Sequence, residues 1–251
     1  MKLASWFESA ILRGRPLEQR LLAQFFATTT GVFVEVGAND PVEGSMTWQL
    51  EQAGWDGLLV EPLSEHANTL RRNRKAKVAA VACGAPEHEG RAMELRIAGR
   101  GGVQSTLACA FVKADIAQSD LRVVPVTTLD SLLVQHSLKR VDLLSIDVEG
   151  FELEVLRGFS LGRHRPQLII LEDRVRGLRL HRHMRANRYR VIRRVGQNAW
   201  YVPDEAIHRV SPYGRFQLLR KYYLGLPFRI LRRWRPWPEQ RPNLRLFGWF
   251  A

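Results

Sequence analysis

The sequence predicts an α/β fold in which a mostly parallel sheet is covered by helices on both faces. Three observations predict it. Short, continuous apolar runs recur, as in strands buried on both sides. Segments with helical patterning alternate with them, as in βαβ units. The last two runs flank Gly196-Gln197, the signature of an antiparallel pair joined by a tight turn.

In chain order, Leu17 to Phe26 reads as a short helix ended by Thr28–Thr30 and Gly31. Val32 to Val36 is an apolar run with one acid between Gly31 and Gly37, a buried strand. Ser45 to Gln52 reads as a helix with Ser45 as N-cap. Gly57 to Glu61 is a second buried strand. Ser64 to Arg74 is a Ser64-capped helix with a polar outer face, and Lys77 to Cys83 is a third strand. Ala92 to Ile97 alternates like an exposed strand, Arg100 to Gly102 is a loop, and Leu121 to Val126 is another strand. Thr128 to His136 is helical, Asp142 to Asp147 is a buried strand ending in an acid, and Phe151 to Arg157 is a helix that Gly158 can end. Gln167 to Glu172 is a buried strand, and Arg188 to Arg194 with Asn198 to Val202 closes the sheet. The resulting organisation is an N-terminal helical segment over 1–30, the α/β domain over 31–203 and a C-terminal extension over 204–251.

Composition bounds the function. The 251 residues are 45% hydrophobic and 25% charged, which excludes a disordered or fibrous chain. Two cysteines, Cys83 and Cys109, exclude a disulfide framework and a four-thiolate zinc site and fit a reducing compartment. No apolar run approaches the ~20 residues that span a bilayer. Met1 to Arg15 lacks the apolar centre of a secretory signal, so a cytoplasmic protein is expected, with peripheral contact to the inner membrane face as a variant. The net charge of +13 is unevenly distributed. Residues 1–173 hold 19 Lys and Arg against 22 Asp and Glu, and residues 174–251 hold 19 against 3. The last third alone attracts anions.

In an open α/β sheet, ligands sit beyond the carboxyl ends of the strands, where strand order reverses. The first strand ends Glu35-Val36-Gly37-Ala38-Asn39-Asp40. Gly37 allows a tight turn and close backbone approach. Asn39 and Asp40 can orient the loop or meet a ligand's polar head. Glu35, an acid inside an apolar strand, needs a partner, for which a cationic amino group is suited. Glu61, followed by Pro62, lies 24 residues after Gly37, a spacing that places an acid on ribose hydroxyls. A dinucleotide fingerprint would put glycines where Asn39 and Val42 stand, so a nucleoside ligand without pyrophosphate fits better. Asp147 and Glu149 bracket a strand-to-helix turn, where a carboxylate can orient an acceptor, take its proton or bind a cation. Acids at a helix start are also favoured by the helix dipole, which accounts for Glu152 and Glu154.

Taken together, four segments resemble the FkbM family of methyltransferases that use S-adenosylmethionine. They are Phe33 to Asp40, Gly54 to Pro62, Val126 to Asp130 and Ile146 to Glu152, with Tyr189 to Pro203 resembling the end of the domain. The resemblance implies a Rossmann-like class I methyltransferase fold, a seven-stranded sheet with one antiparallel strand. It implies S-adenosylmethionine as donor and a hydroxyl acceptor on a sugar, glycan or secondary metabolite. By position, Glu35, Gly37, Ala38 and Asn39 would line its methionine end, with Asp40 beside them. Glu61 and Pro62 would hold the ribose, Ala82 and Cys83 would flank the adenine, and Asp147 would sit near the methyl group. The family often carries a lysine where this chain has Ser145. Gly101 to Thr106 resembles a family loop through which Ser105 would reach cofactor or acceptor.

Methyl transfer from a sulfonium is an in-line displacement, so the protein must mainly align the reactants. Asp147 or Glu149 would assist deprotonation of the acceptor, directly or through a Mg²⁺ held with Glu172 or Asp173. His181 and His183 fall on an arginine-rich helix, as on an exposed cationic face. The tail interleaves aromatics with arginine, as in Tyr222-Tyr223-Leu224 and Arg232-Arg233-Trp234-Arg235. That pattern suits packing on the core or a second subunit, an anionic membrane surface or RNA. A catalytically inactive cofactor-binding module and an RNA methyltransferase are the competing functions.

Overall fold

The computed structural model describes residues 14–26, 30–97, 106–107, 121–173, 178–208 and 210–228. The chain runs α1 (Gly14–Phe25), β1 (Val32–Val36), α2 (Trp48–Gln52), β2 (Asp56–Val60), α3 (Ser64–Asn73), β3 (Lys77–Ala79) and β4 (Ala82–Cys83). It continues through β5 (Ala92–Arg96), β6 (Thr106–Leu107), β7 (Leu121–Thr127), α4 (Leu129–Gln135), β8 (Leu143–Ile146), α5 (Glu152–Arg157) and α6 (Leu161–His164). It ends with β9 (Leu168–Glu172), α7 (Arg179–Ala186), β10 (Tyr189–Val195), β11 (Asn198–Pro203) and α8 (Pro212–Leu219), which passes into a π-helical turn at Arg220–Leu224.

Seven strands form one sheet in the order β10-β11-β9-β8-β1-β2-β3. All neighbours through β9 pair in parallel, and β11 pairs antiparallel with both β9 and β10. The predicted seven-stranded, mostly parallel sheet with one antiparallel strand is therefore present. Strand parity explains the two cores. Val34, Val36, Leu58, Val60, Leu144, Ile146, Ile169 and Leu171 face one layer, formed by α4, α5, α6 and α7. Phe33, Leu59, Leu143, Leu168, Ile170 and Trp200 face the other, packed by Leu22 of α1, Leu50 of α2 and Leu70 of α3. Both sides of each strand are apolar because both are covered.

The predicted third strand, Lys77 to Cys83, is two strands. β3 follows β2 to the Val60–Ala79 pair, and the Glu61 amide donates to the Ala79 carbonyl at 3.0 Å. Alternate residues of the strand face β3, so the next amide to reach it would be that of Leu63; it donates instead to the Glu61 carboxylate at 2.9 Å, and the ladder ends there. The chain bends, and Ala82–Cys83 pairs instead with Val126–Thr127 of β7 in a second sheet, β4-β7-β5-β6.

The capping expectations shift by a residue or more. α2 starts at Trp48 with Thr47 as N-cap, although the Ser45 hydroxyl still accepts from the Thr47 and Trp48 amides. Ser64 is the first residue of α3, and its hydroxyl donates to Glu65 instead of capping. His181 is buried, stacked on Tyr222 at 4.7 Å between centroids, because the chain after β11 returns across α7. The Gly101 to Ser105 loop, Cys109 and the tail beyond Phe228 lie outside the described residues.

α1 is tied to β11, the strand beside the edge strand β10. The buried Glu18 carboxylate accepts from the Trp200 indole and the Asn198 amide, both at 2.9 Å. Replacing Glu18 with alanine leaves the buried indole N–H without its acceptor, a loss of about 1–3 kcal/mol. Urea unfolding should show that loss; an unchanged midpoint would mean that α1 is not held by this contact.

Candidate functional site

β1 lies between β2 and β8, so successive crossovers leave it in opposite directions and open a crevice beyond its carboxyl end. Gly37 makes the crevice possible. Its φ is +84°, and a Cβ there would lie 2.0 Å from the Asp147 carbonyl oxygen. The turns after β1 and β8 thus touch backbone to backbone. The Gly37 and Ala38 amides both donate to the Val60 carbonyl, at 2.9 and 3.2 Å.

Glu61 joins the next two loops. One carboxylate oxygen accepts from the Asn39 amide at 3.0 Å and the other from the Leu63 amide at 2.9 Å. Burial raises its pKa, and these two hydrogen bonds pull in the opposite direction. Asn39 is held in the left-handed region at φ +45°. Asp40 turns back onto its own loop, accepting from the Val42 and Glu43 amides at 2.8 and 2.6 Å.

Glu35 finds partners other than the expected amino group. It accepts from the Ser45 hydroxyl at 2.9 Å, the Met46 amide at 2.8 Å and the Thr47 hydroxyl at 2.5 Å. The same two hydroxyls accept from Arg74, which also donates to the Pro41 carbonyl and forms a buried ion pair with Glu51 at 3.1 Å. Arg74, read from the sequence as the last residue of a helix with a polar outer face, is buried just past the end of α3 and fixes the loop after β1. Its partners lie 23–33 residues away, so no local pattern marks it.

These loops enclose a cavity of about 720 Å³. Its lining includes Glu35, Gly37, Ala38, Asn39, Asp40, Glu61, Pro62, Ala82, Cys83, Asp147, Glu149 and Glu172. Ala82 and Cys83 reach it because β4 bends away from β3. Burial pushes the Cys83 thiol up to about 12, so at neutral pH it is an apolar wall and not a nucleophile. His66, Phe151, Ser145 and Gln197 complete parts of the wall. Among the described lining residues seven are acidic and none is lysine or arginine, which favours a cationic ligand and disfavours a pyrophosphate.

At the β8 end, Asp147, Glu149 and Glu172 each bring one carboxylate oxygen within 4.8 Å of the others. Such a set can share a proton or hold a hard cation such as Mg²⁺. Asp173, the fourth acid expected there, stands apart. Its carboxylate lies 3.6 Å from the Arg194 guanidinium, which also donates to the Asp173 and Gln197 carbonyls. Glu149 and Gly150 adopt φ of +54° and +105°, forming the turn into α5. Glu152 closes that turn by accepting from the Gly150 amide at 2.8 Å, and burial pushes its carboxyl up to about 7.

Gly37→Ala should cost about 3 kcal/mol or more, because it combines a strained φ with a backbone clash. Wild-type stability of that variant in urea would show that the Asp147 carbonyl can withdraw. Glu152 has a second signature. Its raised folded-state pKa means that the native state binds the extra proton, so its contribution to stability falls as pH rises from about 4.5 to 7. Glu152→Gln keeps an acceptor without the charge, and should remove a loss of up to about 3 kcal/mol above neutrality. Parallel pH–stability curves for the two proteins would contradict this.

No curated protein matches the chain. The family model described as the methyltransferase FkbM domain matches residues 35–191, from the acid inside β1 to the middle of β10. The match covers more than half of the chain and takes in the crevice loops after β1, β2, β8 and β9; the chain belongs to the FkbM methyltransferase family.

Proposed function

We propose that the protein is an S-adenosylmethionine-dependent O-methyltransferase whose acceptor is a hydroxyl of a sugar, glycan or secondary metabolite. One observation carries the reading: the cavity at the strand-order reversal is walled by acids, with no lysine or arginine among the described lining residues. When bound, S-adenosylmethionine supplies a methyl group on a positively charged sulfur. The acidic wall suits that charge, as it suits the ammonium of the methionine end. Glu61 spends two acceptor positions on backbone amides and keeps the remainder for ribose hydroxyls. Pro62, Ala82 and Cys83 offer an apolar wall to the adenine.

The chain's catalytic work is alignment and proton removal. Holding acceptor oxygen, methyl carbon and sulfur in a row is worth ~7–11 kcal/mol when it converts an encounter into an oriented pair. Asp147, at the cavity surface, takes the acceptor's hydroxyl proton, and Glu149 orients the same hydroxyl. The three carboxylates at the β8 and β9 ends would bind Mg²⁺ if the reaction uses it; turnover unaffected by excess chelator would assign them to hydrogen bonding and proton transfer alone.

Ser145 favours a second reading. It lines the cavity between Glu35 of β1 and Ile170 of β9, where the family often carries a lysine. A chain that binds the donor but does not transfer its methyl group would fit that difference.

Titration calorimetry with S-adenosylmethionine and mass analysis of methylated products separate the readings. Glu61→Ala should weaken donor binding by about tenfold, the equivalent of one lost hydrogen-bonding carboxylate. Asp147→Asn should lower kcat by about 10²–10⁴ while leaving donor affinity within a few-fold. Binding without any methylated product supports the inactive module, and a fully active double variant refutes the site.

A further inference from the structure

α8 and the following π-helical turn are held to the fold by one side. Ser211 caps α8, accepting from the Gly214 amide at 3.1 Å. Tyr222 is buried against His181, and its hydroxyl accepts from Arg194 at 3.0 Å and meets that of Tyr201 at 3.3 Å. Tyr223 also meets His181, its hydroxyl 3.3 Å from Nε2. Tyr213, Phe216, Leu219 and Leu224 remain 71%, 53%, 48% and 56% exposed. Other exposed apolar residues, such as Val42, Val123 and Ile207, are scattered singly. Four within twelve residues form a patch of the kind that marks an interaction surface.

We infer that this face binds an anionic membrane surface. Charge selects the occupant. The exposed Arg215 and Arg220 stand among the apolar side chains, and residues 211–228 contain no acid. The sequence continues in the same character through Arg232-Arg233-Trp234-Arg235. Bulky apolar and aromatic side chains at headgroup depth, with arginines beside lipid phosphates, are the arrangement of an interfacial helix. A second copy would set Arg215 and Arg220 against like charges with no acid to answer them. RNA would leave Phe216, Leu219 and Leu224 without an apolar partner. No described helix is long and apolar enough to cross a membrane, so the contact is a surface one. Arg194, which anchors Tyr222, also donates to the Gln197 carbonyl, and Gln197 lines the cavity. Membrane docking would therefore occur beside the site and suit a lipid-linked acceptor.

The test is co-sedimentation of the full chain with vesicles of equimolar phosphatidylglycerol and phosphatidylcholine, compared with pure phosphatidylcholine, at ~0.15 M salt. Binding should require the anionic lipid and weaken as salt is raised. Phe216→Glu/Leu219→Glu should reduce it by about tenfold or more, with circular dichroism and thermal unfolding unchanged. Arg215→Glu/Arg220→Glu should reduce it as well, specifically on anionic vesicles. Equal binding by parent and variants would overturn the proposal. So would absence of vesicle binding with either tight RNA binding or a dimer that Phe216→Glu/Leu219→Glu dissociates. The readout uses no methyl donor, so failure of the proposed reaction leaves it intact.

Discussion

The backbone contact between Gly37 and Asp147 is the constraint on which the rest of the site depends. Two neighbouring parallel strands end together, and the turn after each must leave in a different direction. Only a residue without a side chain lets the carbonyl at the end of β8 sit where a Cβ would be. That contact sets the depth of the crevice and brings the Asp147 side chain to the loop after β1. A wider separation would place the β8 acids beyond reach of anything held by Glu61.

Polar networks then hold the loops that the strands cannot. Glu35 and Glu51 sit on either side of Arg74, and the hydroxyls of Ser45 and Thr47 bridge the acid of β1 to the guanidinium. Removing one partner from such a buried set is costly, about 3–5 kcal/mol, because the other charge stays desolvated. The network therefore acts more as a fixing device for the loop than as a source of net stability. Glu61 does similar work between the β1 and β2 turns while still facing the cavity.

The two ends of the charge distribution serve different surfaces. The acidic cavity belongs to the methyltransferase domain, and the basic, aromatic face belongs to the segment after β11. They meet at Arg194, which joins Asp173 at the end of β9 to Tyr222 of the tail. His181, buried between Tyr201 and Tyr222, completes that joint.

Strand identity was legible in the sequence because a strand covered on both faces must be mainly apolar, and β1, β2, β8 and β9 each carry only one polar side chain. The cavity residues Gly37, Glu61 and Asp147 were legible for a related reason: polar or flexible residues that end an apolar strand are seldom there for packing. The division of Lys77 to Cys83 was not, since it depends on the Leu63 amide turning to the Glu61 carboxylate instead of continuing the ladder. Arg74, His181 and the separation of Asp173 from Glu172 were also decided by tertiary structure. A charged residue on a helix reads as solvated until the fold brings distant hydroxyls and acids around it. Sequence periodicity reports which side of an element is apolar; it carries no information about what a long polar side chain meets after the chain has closed on itself.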